Sequence, residues 1–255
     1  PDSASETLAM NVSSGSALIR VEAPAGATAA RTYTIASNLS LADLLTIQVE
    51  STGTPSLDGS LVISGNITGD KKITKEGAGT LTLTGNNSNN DEGWNFAGGL
   101  VQVASDTNLS GGWSNNSYRR FYNFTGGALR FTDDASIGSW RHAYIENSNA
   151  SYIEIDAGKT VTWNSQLYGP SDFTIQGGGT FLYKGNTNGS DQNEAYRGNL
   201  IIDGATVDLS QGGQIYVNKS YYEAPSSDGT VTVRNGGKLV LSDWTRSATG
   251  SLGWL

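Results

Sequence analysis

The residues best suited to ligand chemistry are aromatic side chains that stand beside amide, carboxylate and guanidinium groups. They fall in stretches rich in Gly, Asn and Ser, which are typical of loops. Aromatic faces stack on the CH groups of sugars, while polar neighbours fix the hydroxyls. The same rings could instead cap a hydrophobic core. We predict that residues 87–144 carry a ligand surface formed by Trp94, Trp113, Tyr118, Tyr122, Trp140 and Tyr144.

Two carboxylates and an arginine form a second candidate set. Glu154 and Asp156 alternate with two isoleucines, so both are predicted on one outward strand face, with Arg130 outward on a neighbouring strand. Carboxylates at positions i and i+2 lie about 7 Å apart, a separation that carboxylate-pair glycosidases use. We favour the alternative, a solvated ion pair worth at most about 1 kcal/mol.

Several other kinds of chemistry are excluded by composition. The chain has no Cys and a single histidine, His142, which we predict to be a surface residue because no Gly-x-Ser-x-Gly motif accompanies it. Calcium-loop patterns are also missing, so we predict no catalytic residue, no metal site and no cofactor. With 16 Lys and Arg against 24 Asp and Glu, the formal charge of −8 argues against a nucleic-acid partner.

The elements that must position these residues are predicted to be β-strands. Polar residues alternate with apolar or aromatic ones in eight runs, separated by turn-forming Gly-Gly, Asn-Gly and Asp-Gly pairs. No run of 12 residues has helical spacing, so the fold class is all-β. The runs are residues 80–84, 100–103, 128–132, 152–156, 160–163, 206–209, 230–233 and 238–241.

Two parts of the chain repeat one strand-and-turn pattern. Residues 75–86 align with residues 175–186 at an offset of 100, and later matches drift to offsets of 106 and 110. Strands spaced by roughly 20–25 residues favour a parallel β-solenoid, in which each coil is covered by the next. An antiparallel sandwich or barrel is the alternative.

Residues 75–86, followed by residues 96–106, resemble the autotransporter-associated β-strand repeat. The first segment reads Lys-Glu-Gly-Ala-Gly-Thr-Leu-Thr-Leu-Thr-Gly-Asn, and the second contains Gly-Gly and ends its strand in Leu-Val-Gln-Val. Residues 175–186 fit the pattern more loosely. The first copy departs from it by a polar insertion at residues 87–94, while residues 1–55 and 140–170 match only in composition.

This resemblance implies a single-stranded right-handed parallel β-helix from the passenger of a Gram-negative autotransporter, secreted or held at the cell surface. We expect one continuous β-helix over residues 1–255, with less regular coils at 1–55 and repeat blocks at 56–140 and 141–255. A C-terminal β-barrel translocator, absent from this sequence, would be its only link to a membrane.

The function that the resemblance implies is that of a rigid stalk and adhesin. Its expected partner is a glycan or another ligand on a host or bacterial surface, bound through the aromatic loops, and self-association is a further expectation. The alternative function is a secreted polysaccharide-degrading β-helix enzyme, either a lyase or a glycoside hydrolase, that would use Glu154.

Overall fold

Parallel β-strands make up nearly all of the regular structure. In the described parts of the computed structural model, one 3₁₀ turn at Asp106–Asn108 accompanies the strands, no α-helix occurs, and no helix is able to cross a membrane. The all-β prediction is confirmed. The residues that the structure describes are 6–22, 29–51, 53, 59–87, 92–109, 122–139, 141–146, 151–185, 196, 198–215 and 230–241.

The strands, numbered in chain order, form four sheets that we name 1, 2, 3a and 3b. Sheet 1 contains β2 (Ala17–Val21), β5 (Leu45–Val49), β8 (Ile73–Glu76), β10 (Trp94–Phe96), β12 (Tyr122–Phe124), β15 (Ala143–Ile145) and β18 (Leu167–Tyr168). Sheet 2 contains β3 (Arg31–Ile35), β6 (Gly59–Ile63), β9 (Thr80–Leu83), β11 (Leu100–Val103), β13 (Ala128–Phe131), β16 (Tyr152–Ile155), β19 (Phe173–Gly177), β21 (Leu200–Asp203) and β23 (Val231–Arg234). Sheet 3a contains β1 (Thr7–Met10), β4 (Asn38–Leu41) and β7 (Ile67–Thr68). Sheet 3b contains β14 (Ala135–Ile137), β17 (Thr160–Trp163), β20 (Thr180–Tyr183), β22 (Thr206–Asp208) and β24 (Lys238–Val240).

The chain visits these sheets in rotation and pairs in parallel with itself one coil later, where a coil is the stretch between partners in one sheet. Leu61 pairs with Leu81 and Val207 pairs with Leu239, so a coil takes between 20 and 32 residues. The predicted spacing of 20–25 residues is therefore too narrow. All the paired strands are parallel, which excludes antiparallel hairpins for them.

Inward side chains of all the sheets form one hydrophobic core. The ring of Tyr122 in sheet 1 lies 5.9 Å from Trp163 in sheet 3b, and Phe124 lies 5.0 Å from Phe173 in sheet 2. In the predicted run 160–163, Trp163 has the same parity as Val161 and is predicted to face the core; both are fully buried. Contacts between rings on different sheets mean that the sheets face a shared interior, consistent with a parallel β-helix.

The two copies of the sequence pattern lie on different sheets. The first copy runs from β8 in sheet 1 into β9 in sheet 2, whereas the second runs from β19 in sheet 2 into β20 in sheet 3b. The offset of 100 residues therefore spans four coils and one further sheet. The copies share one type of turn, which the chain uses both between sheets 1 and 2 and between sheets 2 and 3b.

Glycine explains why one pattern suits both corners. Gly77 and Gly177 have φ angles of 73° and 98°, which other residues rarely adopt. Two positions later, a Cβ on Gly79 or Gly179 would overlap the chain of the preceding coil. The pattern thus supplies a turn of the required hand and a close approach between coils, whichever sheets meet there.

A buried lysine closes the first of these corners. Lys75 points inward between Ile47 and Phe96, its register partners in sheet 1. Its ammonium group donates hydrogen bonds to the carbonyl oxygens of Glu76 (2.7 Å), Gly77 (2.9 Å) and Gly98 (3.1 Å). Burial lowers the pKa of Lys75 to about 8, since a low-dielectric interior disfavours the charged form.

We expect the free energy of unfolding of the wild type, measured relative to that of a Lys75→Met variant, to increase as the pH rises. Between pH 8 and the ordinary lysine value of 10.5, the folded protein has released this proton while the unfolded chain retains it. The free energy of unfolding then rises by up to about 1.4 kcal/mol per pH unit, or about 2–3 kcal/mol from pH 8 to pH 10. Urea denaturation of both proteins across this range measures the difference.

Two buried tyrosines lower the free energy of unfolding at high pH, but they do so equally in both proteins. Burial raises the pKa of Tyr183 and of Tyr196, so the unfolded chain loses these protons first and stability falls at high pH. Both tyrosines are present in the wild type and in the Lys75→Met variant. A difference between the two proteins that stays constant from pH 7 to pH 10 would contradict the prediction.

Candidate functional site

Two of the six residues predicted to form a ligand surface lie in the core. Trp94 in β10 and Tyr122 in β12 are fully buried. The indole Nε1–H of Trp94 donates to the carbonyl oxygen of Leu109 at 2.8 Å. No face of either ring is open to a ligand, so the predicted surface is corrected at these two positions, where the alternative of core rings holds.

Their burial follows from their inward positions in sheet 1, where Trp94 pairs with the buried Ile73 and with Tyr122. Sheets 3a and 3b contain no described strand between β7 and β14, and the 3₁₀ turn at Asp106–Asn108 with the buried Leu109 lies there instead. The hydroxyl of Tyr122 donates to Asp106 Oδ1 at 3.4 Å.

Tyr144 is the one predicted ligand residue that is described and partly exposed. It points outward from β15, and its ring centroid lies 5.1 Å from that of the nearly buried Tyr168. His142 meets Tyr168 edge-on at 6.2 Å. Trp113, Tyr118 and Trp140 lie outside the described residues, and their role stays a prediction.

Polar residues are the neighbours of Tyr144 in sequence and register on the outer face of sheet 1. Asn123 is its register partner on β12, and the Asn123 amide donates to Glu146 Oε2 at 3.0 Å. His142 is only partly exposed, and its Nδ1 accepts the Gln166 backbone N–H at 3.3 Å. We call Asn123, His142, Tyr144 and Glu146 the Tyr144 surface.

The Tyr144 surface combines the groups that recognise a small polar ligand. It offers an aromatic ring held by a second ring, a carboxylate, an amide and an imidazole. Such a set can stack on an apolar ring face and hydrogen-bond hydroxyl groups at its edge. Within the described residues, no group of three or more His, Asp or Glu side chains is placed to hold a metal ion.

The second candidate set forms an ion-pair ladder on the outer face of sheet 2. Arg130 Nε lies 2.7 Å from Asp156 Oδ1 and 3.4 Å from Glu154 Oε1, while Gln176 donates to Glu154 Oε2 at 3.0 Å. The hydrogen bond with Asp156 raises the pKa of Arg130. The predicted outward face and ion pair are confirmed. Arg130 contacts both carboxylates, which favours the structural role over a catalytic pair.

One buried ion pair was not anticipated from the sequence. Arg141, immediately before His142, pairs with Asp106 on the 3₁₀ turn, and the Gly138 N–H also donates to that carboxylate at 3.4 Å. This pair joins the 3₁₀ turn to the segment that leads into the Tyr144 surface. The partners are far apart in the sequence and share no motif, so no local signal could have identified them.

Comparison with known proteins gives one match. The chain is 30% identical over 175 residues to "Adhesin BmaC autotransporter" of Brucella suis biovar 1 (strain 1330). The match covers 69% of this chain but only 5% of that protein. No family model matches the chain, and no solved structure matches it. The similarity supports a relation to autotransporter passengers and a secreted or cell-surface location.

Proposed function

We propose that the chain is a rigid segment of an autotransporter passenger that acts as a stalk and as an adhesin. In this proposal its strands close into a single-stranded right-handed β-helix. The observation that carries it is the similarity to an autotransporter adhesin, found in a chain whose strands stack in parallel around one core. That similarity also favours a binding role over a catalytic one.

The stalk role rests on the way in which the coils support one another. Sheet 2 alone contains nine strands in unbroken parallel order, from β3 to β23. At about 4.8 Å per strand, this stack is about 40 Å long. Each coil buries its inward residues against the next, so bending the stack would open a packed core.

The adhesive role is proposed for the Tyr144 surface, with a glycan as the ligand. Tyr144 supplies a ring for the apolar face of a sugar, and Glu146 and Asn123 supply hydrogen-bonding groups at its edge. Trp113, Tyr118 and Trp140 are proposed to extend this surface.

A glycan array with matched tyrosine variants tests the adhesive role. We expect the wild type to bind a subset of glycans and Tyr144→Ala to lose about tenfold in affinity, as the loss of one stacked ring would cause. Tyr152→Ala is the control, because Tyr152 is also partly exposed and outward but lies on sheet 2. We expect it to bind as the wild type does.

The other outcomes discriminate among the proposals. Equal losses in both tyrosine variants, or no glycan binding by the wild type, would contradict the glycan role and leave the stalk. A triple variant with Ala at Trp113, Tyr118 and Trp140 tests the extended surface separately. New reducing ends in the bound glycans would instead support a polysaccharide-degrading enzyme.

A further inference from the structure

The carboxylate of Glu146 is held beside the Tyr144 ring by contacts with two neighbouring coils. Glu146 directly follows β15 on the same outward side as Tyr144, and side chains at positions i and i+2 of a strand lie about 7 Å apart. Its backbone N–H donates to the carbonyl oxygen of Phe124 at 2.9 Å, and its own carbonyl oxygen accepts from Ser171 Oγ at 3.0 Å. The Asn123 amide orients the side chain through its hydrogen bond to Oε2. The carboxylate is therefore exposed and yet fixed in place.

No basic side chain in the described part of the chain balances this carboxylate. Glu146 forms no ion pair with a described lysine or arginine, and the described outward positions of β10, β12, β15 and β18 hold neither residue type. Arg141, in the same segment, is buried. On sheet 2, by contrast, Arg130 lies against both Glu154 and Asp156. The Tyr144 surface thus presents a negative charge next to an aromatic ring.

A carboxylate beside an aromatic ring is complementary to a cation. The face of a tyrosine ring attracts an ammonium group through its quadrupole, and a carboxylate adds a charge-assisted hydrogen bond. A ligand that carries a carboxylate or a sulfate would instead be repelled by Glu146. The formal charge of −8 on the whole chain acts in the same direction.

We propose that the Tyr144 surface selects glycans that carry free amino groups, and that Glu146 is the residue that determines this specificity. The inference rests on the glycan-binding role proposed above and narrows it to one class of sugar. The ammonium group of the ligand lies between the Tyr144 ring and the Glu146 carboxylate, while the amide of Asn123 serves a neighbouring hydroxyl. Acidic sugars are rejected.

Two sets of oligosaccharides that differ only at the amino group test this selection. Glucosamine oligomers carry ammonium groups at about pH 6, where glutamate is ionised, whereas their N-acetylated counterparts of equal length are neutral. We expect the wild type to bind the glucosamine oligomers about fivefold more tightly in calorimetric titrations, as one exposed ion pair with a cation–π contact would provide. His142 is present in every protein compared, so its own charge does not affect the differences.

Two charge-removing variants separate the local carboxylate from the overall charge. Glu146→Gln and Glu76→Gln each remove one negative charge from an exposed side chain on the outer face of sheet 1. Glu76 lies three strands away, on β8, and its register partner there is Gln48 rather than an aromatic residue. We expect Glu146→Gln to bind both sets of oligomers equally, while Glu76→Gln keeps the wild-type preference.

The remaining outcomes distinguish this inference from the glycan role itself. A preference for amino groups that survives in Glu146→Gln would overturn the inference and leave the glycan role intact. The same holds for a wild type that binds both sets equally or prefers acidic glycans. A wild type that binds no glycan at all would overturn both.

Discussion

Phe124→Ala is expected to lower the free energy of unfolding by about 3–5 kcal/mol, the usual cost of removing a buried aromatic ring. Phe124 is fully buried, and its ring lies 4.8 Å from Phe96 in the preceding coil and 5.0 Å from Phe173 in sheet 2. The substitution leaves a cavity between sheets 1 and 2, and the hydrogen-bonded strands on both sides resist its collapse. Thermal and urea denaturation measure the loss.

Tyr33→Ala provides the matched control for this prediction. Its ring also belongs to the inward series but is 40% exposed at the end of the stack. We expect its removal to cost less than about 1 kcal/mol. Equal losses of unfolding free energy in the two variants would show that burial in the core does not determine the stability of a coil. That result would contradict a stalk stabilised by its continuous core.

Gly185→Ala is expected to be the next most damaging change, at about 3 kcal/mol or more. A Cβ at this buried position would overlap the carbonyl oxygen of Ser165 in the preceding coil and the hydroxyl of Tyr183. The backbone of one coil would have to move away from the other, which would disturb the pairing of β17 with β20. Denaturation and hydrogen exchange at these strands measure the effect.

Gly138→Ala separates crowding from the general effect of replacing glycine. Nothing lies within 4 Å of a Cβ built on Gly138, and neither Gly138 nor Gly185 has a positive φ. Because alanine also restricts the unfolded chain, we expect Gly138→Ala to be neutral or slightly stabilising. A loss at Gly138 equal to that at Gly185 would refute the close approach between coils as the cause.

Strand positions were predictable from the sequence only in part. The eight predicted runs coincide with β9, β11, β13, β16, β17, β22, β23 and β24, whereas the five-residue strands β2, β3, β5 and β6 were not among them. Alternation identified β16 and β17, and it set the outward side of Glu154 and the inward side of Trp163. The strands of two or three residues in sheet 1, such as β10 and β18, were not predicted because they are too short to show a period. Those short strands include the ones that bury Trp94 and Tyr122.

The candidate site was only partly predictable for the same reason. Trp94 and Tyr144 both stand in stretches with loop-like composition, yet one faces the core and the other faces outward. Parity is defined only when the register of the strand is known, and the register is fixed by backbone pairing with β8 and β12, far away in sequence. The Tyr144 surface therefore emerges only when neighbouring coils are stacked.

The sequence by itself determined the all-β class and the inward or outward side of the longer strands, because these depend on a two-residue period and on local turn chemistry. Its repeats favoured parallel stacking but left an antiparallel sandwich or barrel open, and only the strand pairing decided between them. The tertiary structure decided which sheets each copy of the pattern occupies. It placed residues 75–86 and residues 175–186 at different corners and enclosed Lys75 where the second copy has Ile175. The physical reason is that coil length, from 20 to 32 residues, is set by the segments between strands, and only the packing of one coil on the next fixes where a strand comes to lie.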